Sequence, residues 1–310
     1  MEQTVEVSII IISYNTWHLL GPCIESIREH CGGVAYEIIV VDNASSDGSV
    51  EKIRTVYPDV KLIVNNENLG FGRANNQGAA IAGGEYLFLL NADTLLTSPG
   101  MRQALDYMRR DGVSMLGPML LNADGTLQPS FQKENTLNLQ LCRIAGMVLR
   151  IRRLRKAKTP ETGLQAVGFL LGAAMLIRSQ DLDGEGLFDE RFFFNGEERD
   201  LCLRFLKAGK SIFYYPDWRI IHYGGGARHS PFHTLNWIKS TGKLMRKHGT
   251  KAHAVTAAIL FFLLLLTNSV SCGLKYLVRR DERQKGYARM YSGLLLWHIG
   301  LKKESAVLES

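Results

Sequence analysis

Residues 7–15, VSIIIISYN, form an apolar run that ends abruptly in polar side chains. The same arrangement recurs at residues 38–43, IIVVDN, and at residues 86–93, YLFLLNAD. Runs that are apolar at every position predict strands covered on both faces, and the amphipathic stretches between them predict crossover helices. The spacing therefore predicts an α/β domain built on a mostly parallel sheet flanked by helices.

Strands and helices are predicted to alternate through the first 110 residues. The predicted strands are 7–14, 37–41, 61–64 and 86–90, and the predicted helices are 18–29, 47–57, 71–82 and 98–110. Ligands of such sheets bind beyond the carboxyl ends of the strands. The four strand ends carry Ser13, Tyr14 and Asn15; Asp42 and Asn43; Asn65 and Asn66; and Asn91, Ala92 and Asp93. A dinucleotide-binding domain is disfavoured, because SYNTWHLLG follows the first strand where GxGxxG would be needed.

Composition excludes several other classes of protein. The chain has 310 residues, of which 46% are hydrophobic and 22% charged, a mixture typical of one large or two modest globular domains. Its five cysteines are odd in number and lack CxxC spacing, which argues against a zinc ribbon or a disulfide scaffold and favours a reducing compartment. The apolar run near the N-terminus is too short and too acidic at its flank to predict a signal peptide.

The net charge of +7 is unevenly distributed along the chain. Residues 143–158 carry +7 and residues 239–285 carry +8, so the rest of the chain is acidic, at −8. Both basic segments are rich in apolar residues, and this combination favours an anionic membrane surface over nucleic acid as the partner. We therefore expect a membrane partner and no nucleic acid.

The second basic segment contains a stretch without charged side chains, residues 252–274. A helix of that length would reach about 34 Å, enough to cross a bilayer. Polar residues interrupt the stretch and both flanks are basic, which favours a monotopic or re-entrant helix over a true span; a buried helix of a soluble protein is the remaining alternative. Residues 287–301 predict a further interfacial helix.

Several ordered motifs resemble one family of enzymes. The segments VSIIIISYN, IIVVDNASSDGS, NENLGFGRANNQGA and YLFLLNADT resemble the nucleotide-sugar-binding half of family 2 glycosyltransferases of the GT-A fold, closest to the rhamnosyltransferase-like branch. The resemblance continues through FLLGAAMLIR, FDERFF, GEERDLCLRFLKAG and IIHYGGG. It implies a glycosyltransferase domain at 1–238, with a nucleotide-binding half (1–118) and an acceptor and catalytic half (119–238), followed by membrane-associated helices at 239–310.

The resemblance also implies how the donor is bound. Asp42 would accept hydrogen bonds from the base or ribose, although an Asp in this position also favours a turn. Asp47 suits a helix cap better than a ligand contact. Arg73 lies one turn into a helix with a glycine-rich start, which suits a diphosphate, although a solvated arginine is the alternative. The full predicted donor set is Ser13, Tyr14, Asn15, Asp42, Asn43, Asn68, Gly70, Arg73, Asn75, Asn91, Ala92, Asp93 and Asp200.

A divalent cation, Mg²⁺ or Mn²⁺, is implied by Asp93, which corresponds to the last acid of the family's DxD motif. Asn91 replaces the first acid of that motif, and the alternative role for Asp93 is to cap a helix near Ser98. His222 matches a position where the family uses a metal or diphosphate ligand, although a lone histidine is more often structural. Arg228 and His229 could contact phosphate, and Trp218, Tyr214 and Tyr215 are either core or sugar-stacking residues.

The acidic cluster in GEERD implies the catalytic base. By position in the motif the base is Glu198, with Glu197 as the alternative, while Asp200 could simply complement the helix dipole. The implied reaction is an inverting, metal-dependent transfer of L-rhamnose from dTDP-L-rhamnose to a lipid-linked glycan, in bacterial cell-surface polysaccharide synthesis at the cytoplasmic face of the inner membrane. A UDP-hexose donor, a non-catalytic nucleotide-sugar-binding protein and a membrane scaffold are the alternatives. The sequence leaves the oligomeric state open.

Overall fold

The computed structural model describes residues 4–151, 163–224 and 230–308, which separate into two compact units. The sheet unit comprises residues 4–135, 163–193 and 197–224, and the helical unit comprises residues 136–151, 194–196 and 230–308. The division therefore falls earlier than the predicted boundary at residue 238. It also assigns residues 136–151 to the helical unit, because the helix in that segment packs with the C-terminal helices.

The sheet unit consists of short strands and five helices within its described residues. Its strands are β1 Val7–Ser13, β2 Tyr36–Asp42, β3 Lys61–Val64, β4 Tyr86–Asn91, β5 Thr94–Leu96, β6 Met115–Leu121, β7 Leu127–Gln128, β8 Phe131–Gln132, β9 Gln165–Ala166, β10 Phe169–Leu170, β11 Ala174–Arg178 and β12 Ile212–His222. Its helices are α1 Trp17–His30, α2 Ser49–Val56, α3 Phe71–Ala80, α4 Met101–Asp111 and α6 Glu197–Lys207. The helices of the helical unit are α5 Leu137–Val148, α7 Pro231–His248, α8 Lys251–Arg279, α9 Glu282–His298 and α10 Glu304–Leu308.

The main sheet has the strand order β3-β2-β1-β4-β11-β6-β12-β5. The first four strands are parallel to one another, as are β6 and β12, whereas β11 and the edge strand β5 run antiparallel to their neighbours. The prediction of a mostly parallel sheet flanked by helices is confirmed. The parallel half places the carboxyl ends of β1, β2, β3 and β4 along one edge.

Both faces of β1 are covered, which explains why its sequence does not alternate. Ile9 and Ile11 pack in one core cluster with Leu20 and Ile24 of α1, while Ile10 packs in a second cluster with Ala74 of α3. Helix α3 approaches the sheet closely: a Cβ at Gly78 would lie 2.6 Å from Cγ2 of Ile10. A buried isoleucine run between two layers of helix is therefore the basis of this half of the fold.

Two predicted boundaries moved for a physical reason. Helix α2 begins at Ser49 with Gly48 in the left-handed region as its N-cap, rather than at residue 47. Helix α4 begins at Met101 with Gly100 as its N-cap, and residues 94–96 form β5 by pairing with β12, a long-range partner that local signals do not reveal. The other predicted elements of the first 110 residues match within two residues at each end.

The helical unit has its own core. Buried side chains from its five described helices meet there, namely Ile144, Leu235, Ile238, Phe261, Leu264, Leu265, Met290, Leu294 and Val307. Helix α8 has 29 residues, and its most apolar 18-residue window has a mean hydropathy of 2.1 with 22% of the window buried. By length and composition it could cross a membrane, and the low buried share does not fit the alternative of a core helix.

Candidate active site

The strand register brings the predicted polar strand ends together. Ser13, the last residue of β1, pairs with Asp42 of β2, and Ile12 pairs with Asn91 of β4. The backbone continues this contact, since Asn43 N–H donates to the Ser13 carbonyl over 2.8 Å. The three strands therefore end side by side, with Asp42 and Asn91 flanking the end of β1.

Asp42 is fully buried and only half satisfied. Its Oδ2 accepts a hydrogen bond of 2.8 Å from the Ser45 N–H, which is the contact expected of a turn-forming aspartate. Its Oδ1 has no hydrogen-bond partner in the described part of the chain. Leaving a buried carboxylate oxygen unpaired is costly, so a ligand with a donor group would be favoured at this atom. Turn formation alone accounts for one oxygen and leaves the other to be explained.

The β1–α1 turn is held against the loop after β2. Asn15 has a φ of 55°, and its Oδ1 accepts a hydrogen bond of 2.7 Å from the Ser46 N–H. Ser13 is buried and its Oγ lies 3.2 Å from Oγ1 of Thr16. Tyr14, between them, is exposed. Of this predicted group, Ser13 and Asn15 shape the turn, whereas the Tyr14 ring is the side chain free to meet a ligand.

Asp47 joins the starts of two helices. Its Oδ2 accepts a hydrogen bond of 2.9 Å from the Trp17 N–H at the start of α1, and its Oδ1 accepts from the Ser49 N–H and hydroxyl at the start of α2. Burial raises the pKa of this carboxyl, but the hydrogen bonds from Ser49 and Trp17 outweigh it and the pKa lies below its usual value. The predicted capping role is the one the structure shows.

The glycine-rich start of α3 packs tightly on the segment before α6. Gly70 has a φ of 83°, and a Cβ there would overlap the Phe193 carbonyl oxygen, so glycine is required at this position. The Asn68 Oδ1 accepts a hydrogen bond of 2.9 Å from the Gly70 N–H, and the Asn43 Nδ2 donates to the Gly70 carbonyl over 3.3 Å. Asn43 and Asn68 thus support the turn that begins α3.

The polar residues of α3 have separate surroundings. The Arg73 Nε lies 3.2 Å from a carboxylate oxygen of Glu190, with both side chains about half exposed. Asn75 is buried, and its Nδ2 donates to the Phe71 carbonyl over 2.9 Å. Asn76 pairs with both backbone groups of Phe188, each at 2.9 Å. Arg73 can turn to a ligand, whereas Asn75 lies inside the fold.

Asp93 and His222 meet because β5 pairs with β12. Thr94 is opposite His222 in that ladder, and the Tyr223 N–H donates to the Asp93 carbonyl over 2.9 Å. The His222 Nε2 lies 3.3 Å from Asp93 Oδ1 and 3.4 Å from the Asn91 Nδ2. Ala92, which lies between Asn91 and Asp93 in the sequence, is buried. The alternative in which Asp93 caps a helix is wrong, since β5 follows Asp93 and Gly100 is the N-cap of α4.

Gln128 orients His222, and the sequence analysis missed it. The His222 Nδ1 lies 2.7 Å from Gln128 Oε1, while the Gln128 Nε2 donates to Asn122 Oδ1 over 3.1 Å. In the neutral imidazole these partners assign the proton to Nδ1 and leave the lone pair of Nε2 on the side of Asp93. The side-chain amides of Asn122 and Gln128, in the β6–β7 hairpin, therefore fix the orientation of the His222 ring. A lone Gln in LQPSFQ gives no local signal for this role.

The surroundings of Asp93 favour the ionised form of its carboxyl. Burial raises the pKa of its carboxyl, but when the His222 imidazole is protonated on both nitrogens its Nε2–H hydrogen bond and its charge outweigh burial, so the pKa of Asp93 lies below its usual value. An ionised oxygen faces the imidazole nitrogen over 3.3 Å. A carboxylate oxygen and an imidazole nitrogen are both atoms that divalent cations accept as ligands.

The acidic residues at the start of α6 divide into three environments. Glu197 is 4% exposed, Glu198 is partly exposed, and Asp200 is fully buried. Asp200 Oδ2 accepts a hydrogen bond of 3.1 Å from the Nε of Arg204, and the Nη2 of the same arginine donates to the Leu187 carbonyl over 2.6 Å. The structure thus places Asp200, predicted to contact substrate, in an interior ion pair that joins α6 to the segment before it.

Glu198 lies near the end of β4. A Cβ at Gly172 would lie 3.6 Å from Cβ of Glu198 and 3.8 Å from Cε1 of Phe71. The next residue, Ala173, accepts a hydrogen bond of 2.9 Å from the Asn91 N–H. Glu198 therefore lies next to Gly172, and the neighbouring Ala173 is hydrogen-bonded to Asn91 at the end of β4, two residues before Asp93.

A second acidic group, away from the strand ends, is occupied by arginine. Oxygens of Glu185, Asp189 and Asp200 lie within 4.8 Å of one another. Arg204 lies 3.1 Å from Asp200 and 3.9 Å from Glu185, and Arg191 lies 2.5 Å from Asp189. Guanidinium groups already neutralise these carboxylates, so Asp93 and His222 are the better candidate for holding a metal.

The aromatic residues with open roles are also placed. Trp218 and Tyr214 are fully buried, which identifies them as core residues. Tyr215 stacks on Tyr107 with ring centroids 6.3 Å apart. Arg228 and His229 lie outside the described residues, as do Gly225 and Gly226.

Comparisons with known proteins agree with this arrangement. A family model for glycosyl transferase family 2 matches residues 8–183. N-acetylglucosaminyl-diphospho-decaprenol L-rhamnosyltransferase of Mycobacterium tuberculosis is 27% identical over 208 residues, which are 60% of this chain and 66% of that protein. Rhamnosyltransferase WbbL of Escherichia coli is 27% identical over 255 residues, 78% of this chain and 93% of that protein. The structure of mannosyltransferase PcManGT from Pyrobaculum calidifontis, with GDP-Man and Mn²⁺, matches with a TM-score of 0.55 and 14% identity over 97% of this chain and 88% of that chain.

The sheet order and these matches define a GT-A fold of the glycosyltransferase class. The chain belongs to glycosyl transferase family 2. Its rhamnosyltransferase relatives place it near that branch of the family, as predicted. The alignment with the mycobacterial relative covers just under two thirds of that protein's length.

Proposed function

We propose that the protein transfers L-rhamnose from dTDP-L-rhamnose to a lipid-linked glycan, with inversion at the anomeric carbon and with a divalent cation at Asp93 and His222. The observation that carries the proposal is the pair of facing acceptors, Asp93 Oδ1 and His222 Nε2, 3.3 Å apart at the same sheet edge as the unpaired Asp42 oxygen. The names of the two rhamnosyltransferase relatives support the choice of sugar.

The pair of side chains fits a hard divalent cation. Two neighbouring ligands of an octahedral ion, each at 2.0–2.1 Å, are separated by about 3.0 Å, and the two atoms here are 3.3 Å apart. Mg²⁺ and Mn²⁺ commonly take one or two protein ligands and complete their shell with phosphate oxygens and water. Asn91 in place of an acid still leaves an amide near the site. A bound cation would neutralise the charge that develops on the leaving diphosphate.

The chain's own groups account for the remaining requirements. Asp42 Oδ1 accepts a donor group of the nucleotide, and the exposed Tyr14 directly follows Ser13, the strand partner of Asp42. Arg73 leaves Glu190 to contact the diphosphate, an exchange that is inexpensive because the ion pair is half exposed. In the proposed domain arrangement, residues 1–118 bind the nucleotide, the part of residues 119–238 that belongs to the sheet unit provides the acceptor and catalytic half, and the helices at 239–310 are membrane-associated.

Glu198 is the proposed base. Its side chain is partly exposed and its Cβ borders Gly172, which makes it more accessible to an acceptor hydroxyl than Glu197. Glu197 is 4% exposed and its Cβ packs toward Gly72. Glu198 removes the hydroxyl proton as the acceptor oxygen attacks the anomeric carbon from the face opposite the leaving diphosphate, which inverts that carbon.

Two variants with matched controls test the proposal. Asp93→Asn should abolish Mn²⁺-dependent binding of the donor, measured by calorimetry, while Asp217→Asn, an exposed aspartate, should not. Glu198→Gln should keep donor binding and lose transfer, while the exposed Glu134→Gln should keep both. Transfer at the native rate by Glu198→Gln would refute the base assignment. A panel of dTDP-, UDP- and GDP-sugars, ranked by the increase in melting temperature, tests the donor.

The proposed location is the cytoplasmic face of the inner membrane. Cell fractionation should recover the full chain in the membrane pellet, and an alkaline carbonate wash separates the two modes of attachment. Release by the wash would indicate a monotopic or peripheral helix, whereas retention would indicate a span. Recovery of all the protein in the soluble fraction would contradict membrane attachment.

A further inference from the structure

The helical unit contains a cleft of about 550 Å³ between α5, α8 and α9. Three cationic side chains line it: Arg150 just after α5, Lys275 in the last turns of α8, and Arg283 at the start of α9. Among the described lining residues none is acidic. The cleft therefore presents three positive charges, contributed by three separate segments, to whatever enters it.

The remaining walls of the cleft supply neutral polar groups. Asn268 and Ser271 line it from α8, and Gln284 and Tyr287 line it from α9. The Arg283 Nε donates to the Tyr287 hydroxyl over 3.2 Å, which holds the guanidinium beside the ring. Cations together with amide and hydroxyl groups are the groups that bind phosphate oxygens. The volume falls in the range of small-molecule sites, about 300–1,000 Å³.

The cleft lies at one end of the apolar part of α8. Residues 252–274 carry no charged side chain, and Lys275 is the first cation after them. A stripe on the opposite side of the helix is exposed and spaced by three or four residues, namely Val255, Ile259, Leu263, Leu266, Val270, Leu274 and Leu277. This stripe is about 33 Å long, close to the thickness of a bilayer's hydrocarbon core.

These two features together indicate a lipid rather than a soluble anion. With residues 252–274 in hydrocarbon, Lys275 stands where the uncharged segment ends, which is the level of lipid phosphates. A soluble phosphate compound would need the cations but would give no reason for their position at the end of an apolar helix. A lipid with a phosphate head group accounts for both the cations and their position at the end of the apolar helix.

We propose that this cleft binds the diphosphate group of the lipid that carries the glycan acceptor. The inference rests on the proposed function, since it assumes a lipid-linked acceptor, and it assigns the recognition of that lipid to Arg150, Lys275 and Arg283. The cleft contributes binding of the lipid head group and takes no part in the chemistry of sugar transfer.

The test uses the full chain in neutral phosphatidylcholine nanodiscs, with geranylgeranyl diphosphate as the probe. The triple variant Arg150→Gln, Lys275→Gln, Arg283→Gln should bind the probe at least ~10-fold more weakly, because the loss of a single charge-assisted hydrogen bond already costs about that much. The control variant Arg279→Gln, Arg289→Gln, Lys303→Gln loses the same charge from exposed positions that do not line the cleft. It should keep the native affinity.

Two further arms separate the possible sources of phosphate. Inorganic pyrophosphate should bind the native chain much more weakly than the lipid diphosphate, and equal affinity would overturn the lipid assignment. Nanodiscs of phosphatidylglycerol should bind the cleft variant and the control variant equally. A loss confined to the cleft variant there, with unchanged binding of geranylgeranyl diphosphate, would overturn the proposal in favour of a bulk anionic lipid.

The outcome can be distinguished from failure of the proposed function. Mn²⁺-dependent binding of the nucleotide sugar should be the same in the cleft variant as in the native chain. If the native chain binds no nucleotide sugar, the proposed function fails whatever the cleft does. If the native chain binds the donor but the cleft variant binds the lipid diphosphate as well as the native chain does, only the cleft proposal fails.

Discussion

Replacing Gln128 with leucine should weaken metal binding without removing a ligand. Gln128 is buried, and its Oε1 accepts the 2.7 Å hydrogen bond that fixes the His222 ring and its tautomer. Leucine keeps most of the volume but offers no acceptor, so the imidazole can rotate or carry its proton on the nitrogen that faces Asp93. Loss of such an outer partner typically costs 10–100-fold in metal affinity, or about 1.4–2.8 kcal/mol.

The effect on folding should be smaller than the effect on metal binding. Gln128 Nε2 also donates to Asn122 Oδ1 over 3.1 Å, but Asn122 is only partly buried, so water can replace this partner. We therefore expect a loss of about 1 kcal/mol in the free energy of unfolding. The melting temperature, measured without metal, shows whether the fold is intact.

The assay is a titration of Mn²⁺ in the presence of dTDP, with free Mn²⁺ measured by electron paramagnetic resonance. The control is Gln128→Glu, which keeps an acceptor next to Nδ1 and should bind at least as tightly as the native chain. Native affinity in Gln128→Leu, together with lost affinity in His222→Ala, would refute the argument about the tautomer. Native affinity in both variants would show that His222 is not a ligand.

Three further predictions concern stability and reactivity. The Arg102 hydrogen bond is the main reason that the pKa of Glu6 is lowered to about 2. The Glu6 carboxylate therefore stabilises the fold above its unfolded pKa of 4.5, and this contribution is lost as the pH falls from 4.5 to about 2. Glu6→Gln should lower the melting temperature at pH 7 by the equivalent of roughly 1–2 kcal/mol after allowance for the partial exposure of the side chain, and a difference that persists unchanged at pH 2 would contradict this. Gly100→Ala would place a Cβ into the Trp218 indole and should lower the free energy of unfolding by about 1–3 kcal/mol. In the control Gly32→Ala the new Cβ meets no atom within 4 Å, so the melting temperature should not change. Equal melting temperatures of the two variants would contradict the packing argument. Burial raises the pKa of the Cys23 and Cys202 thiols to about 12. A disulfide reagent at pH 8 should therefore modify the exposed Cys142 in the folded protein and reach Cys23 and Cys202 only after unfolding. Peptide mapping locates the modified thiols, and modification of Cys23 or Cys202 before Cys142 would contradict this order.

The parallel half of the fold was predictable because its signals are local. The isoleucines of β1 read as a strand buried on both faces, and the helices between strands carry a clear apolar face. The edge strand β5 was not predictable, since Thr94–Leu96 is a strand only through its pairing with β12, more than a hundred residues later. The helix expected from Ser98 begins instead at Met101, after the N-cap Gly100.

The candidate site was predictable as a list of residues but not as a geometry. Asp42 and Asp93 follow apolar strands, and this position alone marks them as candidates. The contact of Asp93 with His222 depends on a ladder between distant strands, and the role of Gln128 depends on that contact in turn. Asp200 shows the opposite case, because nothing in GEERD reveals that Arg204 will neutralise it in the interior.

The choice between Glu197 and Glu198 illustrates why a motif alone does not assign a base. Adjacent residues of a helix point about 100° apart, so the two carboxylates cannot both face the same acceptor. The phase of α6 is not evident from its sequence, since Leu201, Cys202, Leu203 and Phe205 are all buried and the helix is covered on most sides. Tertiary packing distinguishes the two: it buries Glu197 toward α3 and leaves Glu198 partly exposed beside Gly172, where only a hydrogen occupies the space that a Cβ would fill, 3.6 Å from the Cβ of Glu198. Gly172→Val should therefore reduce transfer while leaving Mn²⁺-dependent donor binding intact, and unchanged transfer would show that the acceptor does not approach through this space.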